Sequence, residues 1–248
     1  MSDNFPARSR KFQHKAKSLE DQFQLRQKFI DSGKQLISRA PESDVSLRQV
    51  AELTGYAPSA IYKYFPTKVD LVYAIKEEFL QLSVQHAKRR IETETDPAKR
   101  LSLGFEAMVE FWVLTPGQFR CVYSYRDKPS PTAIRLAPLL ADSSITIAAR
   151  AFSESLVAEF FRHHGVVPDA ELLRLLTDAI VVASHGVVSI PLGSPSFSYC
   201  PPEEMARTVV RGIVRSWASY VDFLRIHKLP KYPTAAHFKS YCETQIFK

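Results

Sequence analysis

One segment, from Ser46 to Phe65, places the strongest constraint on how this chain folds. Within it, Ala51 and Gly55 are four residues apart, and Ile61 follows six residues after the glycine. Two helices that cross at close range need a small residue at the crossing, a turn residue that tolerates positive φ and an apolar side chain in the junction. The spacing therefore predicts a helix-turn-helix. Two ordinary bundle helices joined by a glycine turn remain the alternative.

The residues on either side of that turn predict where the two helices begin and end. Ser46 and Gln49 have the spacing of a capping box, which starts the first helix. Pro58 is tolerated in a first turn, and the helix that it opens is predicted to run to Phe65, over roughly 12 Å, about the width of the DNA major groove. Its outward face carries small, hydroxyl-bearing and cationic groups, which suit contacts with phosphates. These residues are Ser59, Ala60, Tyr62, Lys63 and Tyr64.

The positive charge of the chain is concentrated toward its N-terminus. The formal net charge is +7, and residues 1–90 hold 16 Lys or Arg against 10 Asp or Glu. This distribution favours a head that meets an anion and a nearly neutral body. A role in solubility explains the charge about equally well. The first 18 residues, with Arg8, Arg10 and Lys11, are predicted to form a flexible basic arm.

Hydrophobic periodicity and capping patterns predict an all-α protein. We expect the arm to be followed by a helix-turn-helix DNA-binding domain over residues 19–68 and a larger helical ligand-binding and dimerisation bundle over 69–248. The Pro- and Ser-rich stretch 191–202 is predicted to be a loop, and residues 143–164 are predicted to be a helix. The residues of that helix expected to face inward are Ile147, Ala151, Leu156 and Phe160.

The sequence gives no support to an enzyme, a metal protein or a membrane protein. His163 and His164 are adjacent, so they cannot both face one metal ion from a helix, and the eight glycines form no phosphate-binding loop. No apolar run reaches the ~18 residues of a membrane helix. Three widely separated cysteines fit a reducing compartment. We therefore expect no catalytic residue, no metal, no cofactor and a cytoplasmic location.

The stretch from Val45 to Ile75 resembles the DNA-binding domain of the TetR family of bacterial transcription regulators. Its most specific portion is the run Ile61-Tyr62-Lys63-Tyr64-Phe65-Pro66-Thr67-Lys68, followed by Leu71. In the body, Ser184-His185-Gly186-Val187-Val188-Ser189 is similar to the Trp-His-Gly stretch of one TetR branch. The resemblance implies a repressor that a small apolar or aromatic ligand releases from its operator. The alternative is a TetR-like architectural or adaptor protein that binds DNA without such a ligand.

The same resemblance implies which residues meet double-stranded DNA. Arg48 would reach a base edge, with guanine as its natural partner, and Lys68 would hold a backbone phosphate. The serine common at the start of the second helix in the family is Ala57 here, so Pro58 must stiffen that turn without a side-chain cap. The full predicted set is Ser46, Arg48, Pro58, Ser59, Ala60, Tyr62, Lys63, Tyr64 and Lys68.

A second copy of the chain and a small-molecule effector are the other implied partners. A homodimer built from helices 169–190 and 203–227 would present two readers to a near-palindromic operator. The predicted dimer-interface residues are Ile180, Val209, Gly212, Ile213, Ser216, Trp217 and Tyr220. The predicted ligand-binding residues are Phe105, Met108, Trp112, Tyr123, Phe152 and His185. Ordinary packing in the core is the competing interpretation for each residue of both sets.

Overall fold

The computed structural model of the protein describes residues 18–39, 44–123, 144–194 and 196–246. These residues form ten α-helices, and no strand occurs among them. The prediction of an all-α fold is therefore confirmed. The predicted basic arm, with Arg8, Arg10 and Lys11, lies outside the described residues.

The described residues divide into two compact units. The first, called the head here, contains the residues up to Glu78 together with 120–123, and the second, called the body, contains 79–119 and everything from 144 onward. The helices that begin in the head are α1 (Leu19–Arg39), α2 (Leu47–Thr54), α3 (Pro58–Ile61) and α4 (Lys68–Arg90). The remaining helices are α5 (Pro97–Leu114), α6 (Pro116–Tyr123), α7 (Ser144–His163), α8 (Ala170–Gly193), α9 (Pro202–Ile226) and α10 (Ala235–Ile246).

The head is closed by a small apolar core between α1, α2, α3 and the first part of α4. Phe29 of α1 is fully buried, and its ring centroid lies 6.0 Å from that of Tyr56. Gly33, one turn further along α1, permits a close approach to α4, because a Cβ atom built there would lie 2.7 Å from Cδ1 of Ile75. The other fully or almost fully buried side chains of this core include Ile30, Val50, Ala51, Ile61, Phe65 and Leu71.

The body has one continuous apolar core, around which α5 packs against α7, α8 and α9. Two aspartates set where its helices start. The side chain of Asp96 accepts a hydrogen bond of 2.8 Å from the amide of Lys99 and caps α5, and Asp169 does the same for α8 through the amide of Leu172. The most deeply buried members of the core are Leu101, Phe105, Val157, Phe160, Phe161, Leu172, Leu176, Ile180, Val210 and Tyr220.

The C-terminal helix α10 completes this core. The ring centroid of Tyr220 on α9 lies 4.9 Å from that of Phe238 and 5.0 Å from that of Tyr241, both on α10. Two backbone bonds fix the connection that leads into α10: the amide of Val167 donates to Lys231 O at 3.0 Å, and that of Asp169 donates to Pro233 O at 3.1 Å. Helix α10 and the connection that precedes it are therefore an integral part of the body.

Two predictions about helix faces and ends are wrong. Helix α8 continues through Pro191 to Gly193, because a proline this close to a C-terminus removes only one backbone hydrogen bond. On α7, Ile147 and Ala151 are exposed, whereas Leu156 and Phe160 are buried as expected. The face that α7 turns to the core is the stripe Ser153, Leu156, Val157, Phe160 and Phe161.

Helix α8 is also long and apolar enough to cross a membrane by length and composition, with a third of its most apolar window buried. One such helix is weak evidence, because the core helix of a soluble protein satisfies the same test. Its apolar residues lie on two faces, one of which packs into the body. The other face is exposed in the single chain.

Candidate nucleic-acid interface

Helix α2 begins with the capping box that the sequence predicts. The amide of Gln49 donates to Ser46 Oγ at 3.2 Å, and the amide of Ser46 donates to Gln49 Oε1 at 2.8 Å. Both donors would otherwise be unsatisfied at a helix start. The hydroxyl of Ser46 is thus engaged in positioning α2.

The turn after α2 has the geometry that its glycine makes possible. Gly55 adopts φ 76°, ψ 13°, a left-handed conformation that costs other residues ~1–2 kcal/mol. The amide of Gly55 donates to Glu52 O, and the amide of Tyr56 donates to Ala51 O, so two of the last four carbonyls of α2 are satisfied. Ala51 and Ile61 are both fully buried. The three residues therefore form the predicted helix-turn-helix junction.

The second helix of the motif is shorter than predicted. Regular α-helix ends at Ile61, although the amides of Tyr64 and Phe65 still donate to Ile61 O at 3.0 and 2.9 Å. The continuation to Phe65 is thus a hydrogen-bonded turn. Ala57 provides no side-chain cap, and Pro58 occupies the first turn, as expected from the sequence.

The predicted contact residues of this segment differ in how much they expose. Ser59, Tyr62 and Lys63 are exposed, with Tyr62 at 51%. Pro58 and Ala60 are half-buried. Tyr64 is also half-buried: its ring centroid lies 5.7 Å from that of Phe29, and burial raises the pKa of its hydroxyl. Tyr64 therefore anchors the segment to the head core as well as presenting a hydroxyl.

The start of α4 is already capped by its own residues. The amide and hydroxyl of Thr67 donate to Asp70 Oδ2 at 2.8 and 2.7 Å, and the amide of Asp70 donates to Thr67 Oγ1 at 3.3 Å. Two of the amides at this end, those of Thr67 and Asp70, are thus engaged within the chain. A carboxylate occupies the end, so a phosphate contact there depends on the Lys68 ammonium.

Arg48 lies on the exposed side of α2, where it is paired with an acid of the same helix. Its Nε lies 3.0 Å from Oε1 of Glu52, and the two side chains are 77% and 38% exposed. The head surface thus presents Arg48, Ser59, Tyr62 and Lys63 to solvent, with α2 held by its cap and α3 by the buried junction.

The predicted ligand residues fall into separate groups. Phe105 belongs to the body core, and Met108 and Phe152 pack against it. Trp112 and His185 are brought near each other by Phe119 of α6, whose ring centroid lies 5.9 Å from that of Trp112 and 4.8 Å from that of His185. Phe119 was not among the residues predicted from the sequence. The only indication in the sequence is that Phe119 follows Pro116 by one turn in a short helix.

Burial shifts the pKa values of His185 and Tyr123, the two titratable residues of the predicted ligand-binding set. Desolvation lowers the pKa of His185, so its imidazole is neutral at pH 7. Tyr123 belongs to the compact unit called the head. Burial raises the pKa of its hydroxyl to about 12. Two buried polar atoms, Gln118 Oε1 and Ser184 Oγ, have no hydrogen-bond partner among the described residues. They are the sequence neighbours of Phe119 and His185.

Three predicted dimer residues do not lie on a surface. Ile180, Trp217 and Tyr220 are at most 3% exposed within a single chain and belong to the body core, so they cannot meet a second copy directly. Gly212 and Ser216 are exposed, and Val209 and Ile213 are half-buried. The residues of α9 predicted for the dimer interface are therefore divided between core and surface.

A larger apolar surface, which the sequence analysis missed, lies on α8. Leu175, Val182 and Ile190 are 46%, 69% and 56% exposed and follow one another by seven and eight residues, which places them on one face of the helix. Ala179 and Gly186, both small, lie between them on that face. In the sequence, this surface is indicated only by the occurrence of apolar residues on more than one face of α8.

Comparison with known proteins identifies the head. The model of the family "Bacterial regulatory proteins, tetR family" matches residues 29–75, which span the helix-turn-helix. No curated protein sequence matches the chain.

Solved structures share the fold across most of the chain. The fatty acid degradation regulator FadR from Bacillus halodurans superposes with a TM-score of 0.61 at 16% identity, covering 81% of this chain and 97% of that one. A TetR/AcrR-family regulator from Thermobifida fusca gives 0.55 at 16%, covering 78% and 98%. A TetR-family regulator from Streptomyces coelicolor gives 0.54 at 18%, covering 82% and 86%.

The family match and the shared fold agree with the capped, glycine-turned motif described above. They point to a transcription factor rather than an enzyme. Residues 29–75 of the head thus match the bacterial regulatory proteins of the tetR family, and the described residues have the all-α fold of the TetR-family regulators to which the chain is similar.

Proposed function

We propose that this protein is a sequence-specific repressor that binds a near-palindromic operator as a homodimer and leaves it when a small apolar or aromatic ligand binds the body. The observation that carries the proposal is the surface of the head. Tyr62 and Lys63 project from a short segment whose base is fixed by the buried Ile61, on a unit that the TetR family model matches. DNA binding also fits a cytoplasmic location.

The exposed face of α8 supports assembly into a dimer. Leu175, Val182 and Ile190 form an apolar stripe that a single chain leaves uncovered. Contiguous apolar surface of this kind is typical of a protein–protein contact. Because a two-fold dimer uses the same surface on both copies, α8 can pack against α8 of the partner. Gly212 and Ser216 are exposed on α9, which packs against α8 within the chain.

The group formed by Trp112, Phe119 and His185 supports an effector site. Aromatic rings beside a neutral imidazole suit a bulky, uncharged ligand. Gln118 Oε1 and Ser184 Oγ, at the neighbouring positions of α6 and α8, are buried without a hydrogen-bond partner among the described residues, whereas buried polar atoms usually have one. The ligand acts by preferring one spacing of the two heads, and α4, which runs from head to body, transmits the change.

Selection from a pool of randomised duplexes tests the proposal. The full chain, purified as it is, should enrich one motif with two-fold symmetry whose half-sites lie about one DNA turn, ~34 Å, apart. Genomic positions of that motif then indicate the regulated genes. Enrichment of no motif, with equal affinity for all duplexes, would rule out sequence-specific regulation. A motif that no small molecule displaces would favour the adaptor alternative.

A further inference from the structure

We propose that Glu52 determines DNA specificity by holding Arg48 in the orientation that reads a base pair. The inference rests on the proposed DNA-binding function and adds a residue that the predicted contact set does not include. Glu52 makes no DNA contact in this account. Its effect passes through the guanidinium of Arg48 and through its own negative charge.

The geometry leaves Arg48 equipped for one kind of contact. Nε of Arg48 lies 3.0 Å from Oε1 of Glu52, so that N–H donor is engaged. A guanidinium has five N–H donors in a rigid fork, and the two terminal nitrogens remain for a partner ahead of the side chain. Two parallel donors match O6 and N7 of guanine in the major groove. Glu52 thereby favours an end-on, bidentate approach.

Helix stability does not account for the pair. Glu52 lies in the last turn of α2 (Leu47–Thr54), where a carboxylate interacts unfavourably with the helix dipole. The order of the pair, Arg48 before Glu52, is also the less favourable one for an i,i+4 ion pair. Both side chains are exposed, and exposed ion pairs contribute little to stability. The folding of α2 therefore gains little from this arrangement.

The charge of Glu52 acts against indiscriminate binding. A carboxylate one turn from Arg48 on the same exposed face repels DNA phosphates and cancels part of the attraction that Arg48 exerts. When Arg48 meets its guanine, the base contact offsets this repulsion. When the base pair is wrong, the repulsion remains. The charge alone lowers the affinity for all duplexes alike, so discrimination depends on the orientation that Glu52 gives to Arg48.

The test uses the full chain and the motif enriched from the randomised duplex pool. Affinities are measured for that duplex and for duplexes with each base pair replaced in turn. The wild type should discriminate at the Arg48 base pair by ~5- to 150-fold, the range of a bidentate contact. Glu52→Ala should lower this discrimination by at least about 3-fold and raise the affinity for non-cognate duplexes. Glu52→Gln keeps an acceptor oxygen and should retain more of the discrimination.

A double-mutant cycle separates this role from a general effect of charge. In an Arg48→Ala background, Glu52→Ala should change discrimination at that base pair no further. If Glu52→Ala raises the affinity for all duplexes by the same factor and leaves every base preference unchanged, the proposal is wrong. If the wild type enriches no motif, the proposed function itself fails. Far-ultraviolet circular dichroism of each variant checks that α2 and the rest of the fold are retained.

Discussion

The carboxylate of Glu78 on α4 lies 2.6 Å from the ammonium of Lys34 on α1. The same carboxylate accepts a hydrogen bond of 2.6 Å from Gln27, two turns earlier on α1. The Lys34 and Glu78 side chains are each 23% exposed. The helix that continues into the body is thus tied, within the head, to the helix that supports the DNA-binding motif.

Removing this tie should loosen α1 without unfolding the protein. Charge-assisted hydrogen bonds contribute more than neutral ones, so Glu78→Ala should lower the stability of the head by about 1–2 kcal/mol. Hydrogen exchange of the α1 backbone amides measures this loss of stability directly. Glu20→Ala is the matched control, because Glu20 bonds only Gln24 of its own helix among the described contacts. Equal protection of α1 in the wild type and Glu78→Ala would contradict the assignment.

Tyr220 carries its hydroxyl in the core of the body. Its side chain is fully buried, and its Oη has no hydrogen-bond partner in the described part of the chain. Removing an unsatisfied polar atom relieves a desolvation cost, so Tyr220→Phe should leave stability at pH 7 unchanged or raise it by up to ~1 kcal/mol. Urea unfolding of both proteins measures the difference. A loss of more than ~1 kcal/mol would show that the hydroxyl has a partner.

The same variant should change stability at alkaline pH. Burial raises the pKa of Tyr220 to about 12, from an ordinary value of 10.0. Between these values the unfolded chain has released the proton that the folded chain retains, so this residue makes stability fall as pH rises from about 10 to about 12. Tyr220→Phe should remove that part of the decline. Identical pH profiles for the two proteins would show that Tyr220 does not contribute.

A charge on the exposed face of α8 should prevent dimer formation. Val182 is 69% exposed at the middle of the stripe, and Val182→Glu places a carboxylate where two apolar surfaces would meet. Sedimentation equilibrium should show a dimer for the wild type and a monomer for Val182→Glu. Leu114 of α5 is 68% exposed and serves as control, since Leu114→Glu should remain dimeric. Dimers of Val182→Glu as stable as those of the wild type would place the interface elsewhere.

Local patterns predicted the head better than periodicity predicted the body. The capping box of Ser46 and Gln49 and the left-handed Gly55 each depend on neighbours within five residues, so the sequence contains all the information that they need. The length of α3 was harder, because the segment after Ile61 keeps its hydrogen bonds in a turn rather than a regular helix.

Whether a residue of the body is buried depends on which helices pack around it, and this packing cannot be read from a single sequence. The residues of α9 predicted for the dimer interface do not share one surface: Trp217 and Tyr220 face the core, whereas Gly212 and Ser216 face solvent. Because helix α8 is apolar on more than one face, its sequence does not show that Leu175, Val182 and Ile190 are the exposed row. Phe119 was likewise overlooked, since only the packing of α5, α6 and α8 brings its ring to His185.

Salt dependence of DNA binding tests the central claim, that the segment beginning at Pro58 is the surface that meets the duplex. The affinity of the full chain for the enriched duplex is measured over a range of salt concentrations. If Lys63 contacts a phosphate, Lys63→Ala should weaken binding to all duplexes alike and reduce the slope of log affinity against log salt by about 1. Tyr62→Ala should also weaken binding to all sequences. Lys239→Ala, an exposed cation on α10, should change neither quantity. Unchanged affinity and slope for both Lys63→Ala and Tyr62→Ala would contradict the account.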